Sequence, residues 1–320
     1  MPVLTTFAVI SARGFGSGTT TGKRAIFGYG STGSYVSVTN LVSNTGVVAT
    51  DITGVGTARG GVAAAGYGTD KAIFGYGNTG FDPTYVVLSM TNLVSSAGVV
   101  ATDTTGVGTA RWTLAAASYG TDKAIFGYGS TSGSAGVLSM TNLVSNTGVV
   151  GNDVTGVGTA RRQIAAAGYG TDKAIFGYGE NTPALSMTNL VSNTGVVAAD
   201  TTGVGTARFG PAAAGYGFDK AIFGYGATTG PTNISTTNLV SNTGVVAANT
   251  TGVGTGRHQL AAAGYGADKA IFGYGGTDSG SSPLSVFSIT NLVSNAGVVA
   301  TDTTGVGTGR NLLAAATFGP

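Results

Sequence analysis

Internal repetition constrains this chain more than any other feature. The segment AIFGYG recurs at residues 25–30, 72–77, 124–129, 174–179, 221–226 and 270–275. Each copy is followed by TNLVSN or a close variant, then GVV, then GVGTAR or GVGTGR, and then by an alanine run that ends in an aromatic residue and glycine. A unit of about fifty residues is too small to bury its own apolar faces, so the copies must stack on one another. Repeat number and spacing therefore set the fold.

Each copy reads as four short strands. In the second copy, residues 62–68 form a small apolar run that stops at the turn Thr69-Asp70. Residues 71–77 form a second run, with Ala72, Phe74 and Tyr76 alternating against Ile73, Gly75 and Gly77. Residues 85–94 make a third, β-rich run; a turn at 95–98 leads to a fourth at 99–105. No window has helical periodicity. Four strands per unit, six units and one strand of small residues predict an all-β fold, a six-bladed β-propeller of four-stranded antiparallel blades. The alanine triplets at 63–65, 115–117, 165–167, 212–214, 261–263 and 314–316 suit the innermost strands, where large side chains would collide. An open solenoid or a β-helix is the alternative, and for either the number six has no special meaning.

The ends of the repeat array bear on closure. The first AIFGYG has no clear alanine strand before it, and the segment 313–319 (LAAATFG) has no partner after it. Pairing the two closes the propeller through residues 23–320, with residues 1–22 left as an amino-terminal arm. Within the arm, SARGFG at 11–16 is a degraded echo of the repeat and competes for the closing position.

Composition narrows the function. Charged residues make up 9% of the chain, well below the roughly 25% of a typical soluble domain, and glycine contributes 57 residues. A formal net charge of +2, with Lys and Arg spread through the repeats, gives no basic field for nucleic acid. No apolar run approaches the eighteen or so residues of a spanning helix, and the strands are shorter than the nine to eleven or so of an outer-membrane barrel. Membrane insertion is therefore not expected, and the start of the sequence lacks the pattern of a secretory signal. Catalysis also has little to work with: His258 is the only His, Glu180 the only Glu, and Cys is absent. No enzyme activity, metal or cofactor is expected.

An Arg opening the unit, a small apolar strand, a turn, a β-rich strand ending in glycines and a long outer hairpin together resemble the kelch repeat. FGYG stands where kelch repeats carry a double glycine, and Val48 and Val100 stand at the late Trp position. The resemblance implies propeller blades; the copper ligands of kelch-like oxidases, Cys among them, are missing here. The opening PVLTTFAVISARGFGSG is similar to the short Gly-rich openings of bacteriophage virion and tail proteins. That similarity implies a virion location, an arm that meets other virion proteins, and a tail-fibre or surface role toward a host glycan or protein. A kelch-like protein–protein adaptor and a purely structural or decoration component of a particle are the alternatives.

The copies differ in two places. After the repeated Arg stand Gly60, Trp112, Arg162, Phe209, His258 and Asn311, and the segments after FGYG offer Tyr35, Phe81, Asp82, Tyr85, Glu180, Asn181, Asn233 and Asp278. In an antiparallel meander both places fall at one end of the molecule, so a diversified recognition face is expected from Trp112, Arg162, Phe209, His258, Phe81, Tyr85 and Glu180, with His258 as an exposed loop residue. Neutral drift of loop tips is the competing account. A second set of residues hardly varies: Arg59, Arg111, Arg161, Arg208, Arg257 and Arg310, each eight positions after Asp51, Asp103, Asp153, Asp200, Asn249 or Asp302. These are expected to form structural bridges within each repeat, Arg111 with Asp103 for example.

Overall fold

Alternation decides which way each strand faces. In the alanine segment Ala63–Tyr67, Ala63, Ala65 and Tyr67 are buried, while Ala64 and Gly66 face a narrow central space. The structure is a computed structural model that describes residues 22–80, 86–133, 135–230, 232–277 and 285–320. Its elements are all β: among the described residues there are six three-stranded antiparallel sheets, two short two-stranded ladders and no helix. Among these residues no helix is therefore long and apolar enough to cross a membrane.

Each sheet is built from an alanine strand, a KAIFG strand and a TNLV strand. The second sheet orders Ala63–Tyr67, Lys71–Gly75 and Thr91–Val94, with Ala65 opposite Ile73 and Ile73 opposite Leu93. The third to sixth sheets repeat this register. The first sheet is assembled from both ends of the repeat array: Ala314–Phe318 pairs with Arg24–Gly28, Ala316 opposite Ile26, and Arg24–Gly28 pairs with Thr39–Val42. The segment 313–319 thus supplies the missing strand as its sequence predicts. The competing segment 11–16 lies outside the described residues.

The expected fourth strand is not a regular strand. The segment after each tight turn touches the TNLV strand only at isolated bridges, Val42 with Val48 and Thr39 with Ile52 in the first sheet. The two bridges differ in register by one residue, which marks a bulge between them. The side chain of Asn40 fills that bulge: its amide donates to the Ala49 carbonyl at 3.0 Å and to Asp51 Oδ1 at 2.8 Å. An inward asparagine therefore replaces the ladder bonds that a fourth strand would make.

Neighbouring sheets interlock through one aromatic residue and one glycine. A Cβ built on Gly28 would lie 2.8 Å from Cζ of Phe74, so the ring of the second sheet occupies the space a side chain of the first would need. The same contact joins Gly75 to Phe126, Gly127 to Phe176, Gly177 to Phe223 and Gly224 to Phe272, and the succession returns to its start with Gly273 against Phe27. Tyrosine rings follow the same order, Tyr29 against Phe74 and finally Tyr274 against Phe27, with centroids 5.1 Å apart in both. Backbone bonds return in the same way. Gly61 donates to Leu312, Thr113 to Gly61, Gln163 to Thr113, Gly210 to Gln163, Gln259 to Gly210 and Leu312 to Gln259. All six alanine strands line one central cavity of about 100 Å3.

Deleting residues 311–320 removes the inner strand of the first sheet together with its contacts to the sixth. The midpoint of thermal unfolding should fall by about 10 °C or more, or the cooperative transition should vanish, followed by circular dichroism. A truncated chain that melts like the parent would show that the first sheet stands without this strand.

Candidate functional site

The six repeated arginines are the largest fully buried side chains of the described residues, each at 0% exposure. Each lies between two neighbouring sheets. Arg59 Nη2 donates to Asn92 Oδ1 at 2.6 Å, Nε to the Tyr76 carbonyl at 2.8 Å and Nη1 to the Thr57 carbonyl at 3.0 Å. Its guanidinium stands 4.4 Å from the ring centroid of Tyr29, which belongs to the preceding sheet. Each of the three nitrogens thus has an oxygen partner, from one sheet and the crossover that enters it, while a π face of the other sheet covers the cation. The tyrosine must take a left-handed backbone to present that ring, with φ of 63° at Tyr29. Burial pushes the phenols of Tyr29, Tyr128, Tyr225 and Tyr274 up to about 12, so they stay neutral beside the cation.

The expected bridges within a repeat are not formed. Arg59 faces Asp103, Arg111 faces Asp153, Arg161 faces Asp200, Arg257 faces Asp302 and Arg310 faces Asp51, at 3.6 to 4.0 Å. Asp103 is therefore the partner of Arg59 in the preceding crossover and not of Arg111. The physical reason is the bulge. It turns the aspartate toward the crossover that enters its own sheet, where Thr57 donates to Asp103 Oδ2 from its backbone at 2.9 Å and from its hydroxyl at 2.7 Å. The buried asparagine of TNLV connects the two charges, accepting from Arg59 and donating to Asp103 Oδ1 at 2.8 Å. Asn40, Asn92, Asn142, Asn189, Asn238 and Asn291 were not singled out from sequence, yet all six are at 0% exposure. The available signal was an asparagine, a poor strand former, held at one strand position in every copy.

The fifth sheet tests the need for the carboxylate. Asn249 replaces the aspartate and keeps the contact with the crossover, accepting from the Thr206 amide at 3.2 Å and donating to the Thr206 hydroxyl at 2.7 Å. Arg208 keeps its bond to Asn238 at 2.7 Å, lies closer to its tyrosine, 3.9 Å from the Tyr178 ring, and leaves Nε without a hydrogen-bond partner.

The variable end is built beside these nodes. The residue after each arginine pairs with the residue after FGYG in the same sheet: Gly60 with Asn78, Trp112 with Ser130, Arg162 with Glu180, Phe209 with Ala227, His258 with Gly276 and Asn311 with Ser31. The two variable classes are therefore joined at one end. Trp112 and Phe209 are half-buried. Arg162 and Glu180 form an ion pair at 2.8 Å with side chains 18% and 16% exposed, and Gln163 donates to the same Glu180 oxygen at 3.1 Å. His258 departs from expectation. It is buried at 1% exposure, its Nδ1 lies 2.8 Å from Asn233 Oδ1 and its ring meets Phe209 edge-on at 5.8 Å. The asparagine of the adjoining segment and the neighbouring phenyl ring cover it, so it supports the face rather than presenting itself. Gly60 has its own explanation: a Cβ there would lie 2.4 Å from Cε1 of Tyr35, whose ring takes the seat. Phe81, Tyr85, Asp82 and Asp278 lie outside the described residues.

Among the described residues no group of three or more His, Cys, Asp or Glu side chains is placed to hold a metal. No family model matches the sequence, and no curated protein matches it.

Two outcomes are expected from the nodes. Asn92→Leu strips Arg59 of its shortest bond and leaves a buried cation under-coordinated, so it should cost about 3 kcal/mol or more in urea unfolding, whereas Asp103→Asn, which copies Asn249, should cost under about 1 kcal/mol. The second concerns pH. Partial burial pushes Asp51, Asp103, Asp153, Asp200 and Asp302 up, but hydrogen bonds from Thr and Asn and the charge of the facing Arg outweigh it, so each sits below its ordinary value. A depressed carboxyl stabilises the fold fully above its unfolded value of about 4, and that contribution is lost as pH falls through the lower folded value. The melting temperature should fall below about pH 4, and replacing all five by Asn should flatten that acid limb. An unchanged acid limb would show that these carboxylates titrate as they do in the unfolded chain.

Proposed function

We propose that the chain is a closed six-bladed β-propeller of kelch-like build, acting as a non-enzymatic recognition module whose variable end binds a host surface glycan or protein. Closure is supported by the aromatic, backbone and arginine contacts that run through six sheets and return to the first. The observation that carries the functional reading is the joining of both variable segment classes at one end of an otherwise repeated frame. Loops on a rigid scaffold are the usual seat of recognition. Trp112 and Phe209 offer partly exposed side chains to an apolar sugar face, while the polar groups around them can bond hydroxyls. The similarity of the opening residues to phage virion and tail proteins supports a place on a virion surface, with residues 1–22 meeting other virion proteins.

The test is binding of the purified protein to an array of bacterial surface glycans and to bacterial envelopes. Trp112→Ala combined with Phe209→Ala should lower binding by about ten-fold or more, with the melting temperature within a few degrees of the parent. A double mutant that binds as the parent does would refute the face, and a parent that binds no glycan or envelope while co-assembling with particle proteins would favour a structural role.

A further inference from the structure

The opposite end of the molecule carries the tight turns, and its few exceptions fall together. Thr69, Thr121 and Thr171 occupy one turn position in the second, third and fourth sheets, but the fifth has Phe218 and the sixth Ala267. In the first sheet the Asp-Lys pair that follows this position elsewhere is replaced by Lys23 and Arg24. The fifth, sixth and first sheets are successive neighbours. Phe218, Ala267 and Lys23 all line one cavity of about 240 Å3 at the mouth of the central space.

The fold accounts for neither property of Phe218. Its φ is 71°, a conformation unfavourable for a bulky side chain, and three sister turns hold threonine at φ of 68° or 69°. The turn therefore does not require a ring. At 75% exposure it is also the most exposed large hydrophobic residue among the described residues. An aromatic ring held out at a cavity mouth, in a strained conformation, offers a face for stacking.

Charge at the cavity is uneven as well. Lys173, Lys220 and Lys269 line it, each paired with the aspartate before it at 2.8, 3.3 and 2.9 Å. Lys23 stands where those turns carry the aspartate, so one anion is exchanged for a cation. Its ammonium donates to the carbonyls of Thr69 and, at 2.7 Å, Gly319. The volume lies below the range of about 300 to 1,000 Å3 usual for larger ligands, which sets the occupant at the size of one sugar ring.

We propose that this axial cavity binds a small acidic sugar, its carboxylate at Lys23 and its apolar face on Phe218. The site lies at the far end of the strands from the variable segments and is independent of recognition there. It is tested by calorimetric titration of the full chain with sodium D-glucuronate, D-glucose and sodium sulfate. Glucuronate should bind about ten-fold or more tightly than either of the others. Phe218→Thr, the residue of the sister turns, and Lys23→Asp should each weaken glucuronate binding by about ten-fold. Phe218→Thr should leave the melting temperature unchanged, whereas Lys23→Asp also gives up the bonds to the Thr69 and Gly319 carbonyls. Equal binding of glucose would remove the role of charge. Sulfate binding as tightly as glucuronate, with Phe218→Thr without effect, would reduce the site to a bare anion pocket. No heat with any of the three would overturn the proposal outright.

Discussion

A guanidinium taken out of water must find partners, and at the six seams between its sheets this protein supplies one for every guanidinium nitrogen except Nε of Arg208. Carbonyl oxygens and an asparagine oxygen of one sheet take the N–H groups, and a tyrosine of the neighbouring sheet takes the face of the cation. The aspartate stands farther off, at 3.6 Å or more, so the seam depends more on directed bonds than on a close ion pair. Lysine could not substitute, because a point charge lacks the planar fork that reaches three acceptors while stacking on a ring. The left-handed tyrosine, the bulge and the buried asparagine all follow from serving this one group. Each arginine also fixes which sheet is the neighbour, because its oxygens and its ring come from different sheets.

Much of the architecture was legible in the sequence because it rests on a fixed repeat and on local strand and turn signals. The alanine and KAIFG strands, the tight turns, and the pairing of Ala314–Phe318 with Arg24–Gly28 belong to this group. The partner of each arginine was not legible. Spacing cannot separate Asp103 of one copy from Asp51 of another when the copies are near-identical, so the nearer residue in sequence was the natural but wrong choice. The fourth strand failed for a related reason: its β-rich composition is real, but a one-residue offset is invisible without the register of the strand beside it. His258 failed because its cover comes from Asn233 and Phe209, residues 25 and 49 positions away.

Variation at the loop end is less free than a comparison of copies implies. Where the seat after the arginine is glycine, Tyr35 enters from the adjoining segment to fill it. Where the seat is Arg162, the residue paired with it is Glu180, and where it is His258, an asparagine and a phenyl ring close over it. The two variable segment classes thus change in concert. What differs between sheets is a set of matched groups, each satisfying its own buried polar or apolar requirement.

The strand shared between the ends of the array also orders events in time. During synthesis Ala314–Phe318 leaves the ribosome after the strands of the other five sheets, so the sheet whose middle strand is made first is completed last. Until then Arg24–Gly28 has an open edge, and Tyr29 and Asn40 wait for Arg310. The entropic penalty for joining segments nearly three hundred residues apart grows only as the logarithm of the separation, and the folded sheets between them hold much of the chain already in place. The nascent protein must nonetheless protect that edge from other chains until Ala314–Phe318 has been made, a period in which crowding by neighbouring ribosomes would favour swapped, intertwined products.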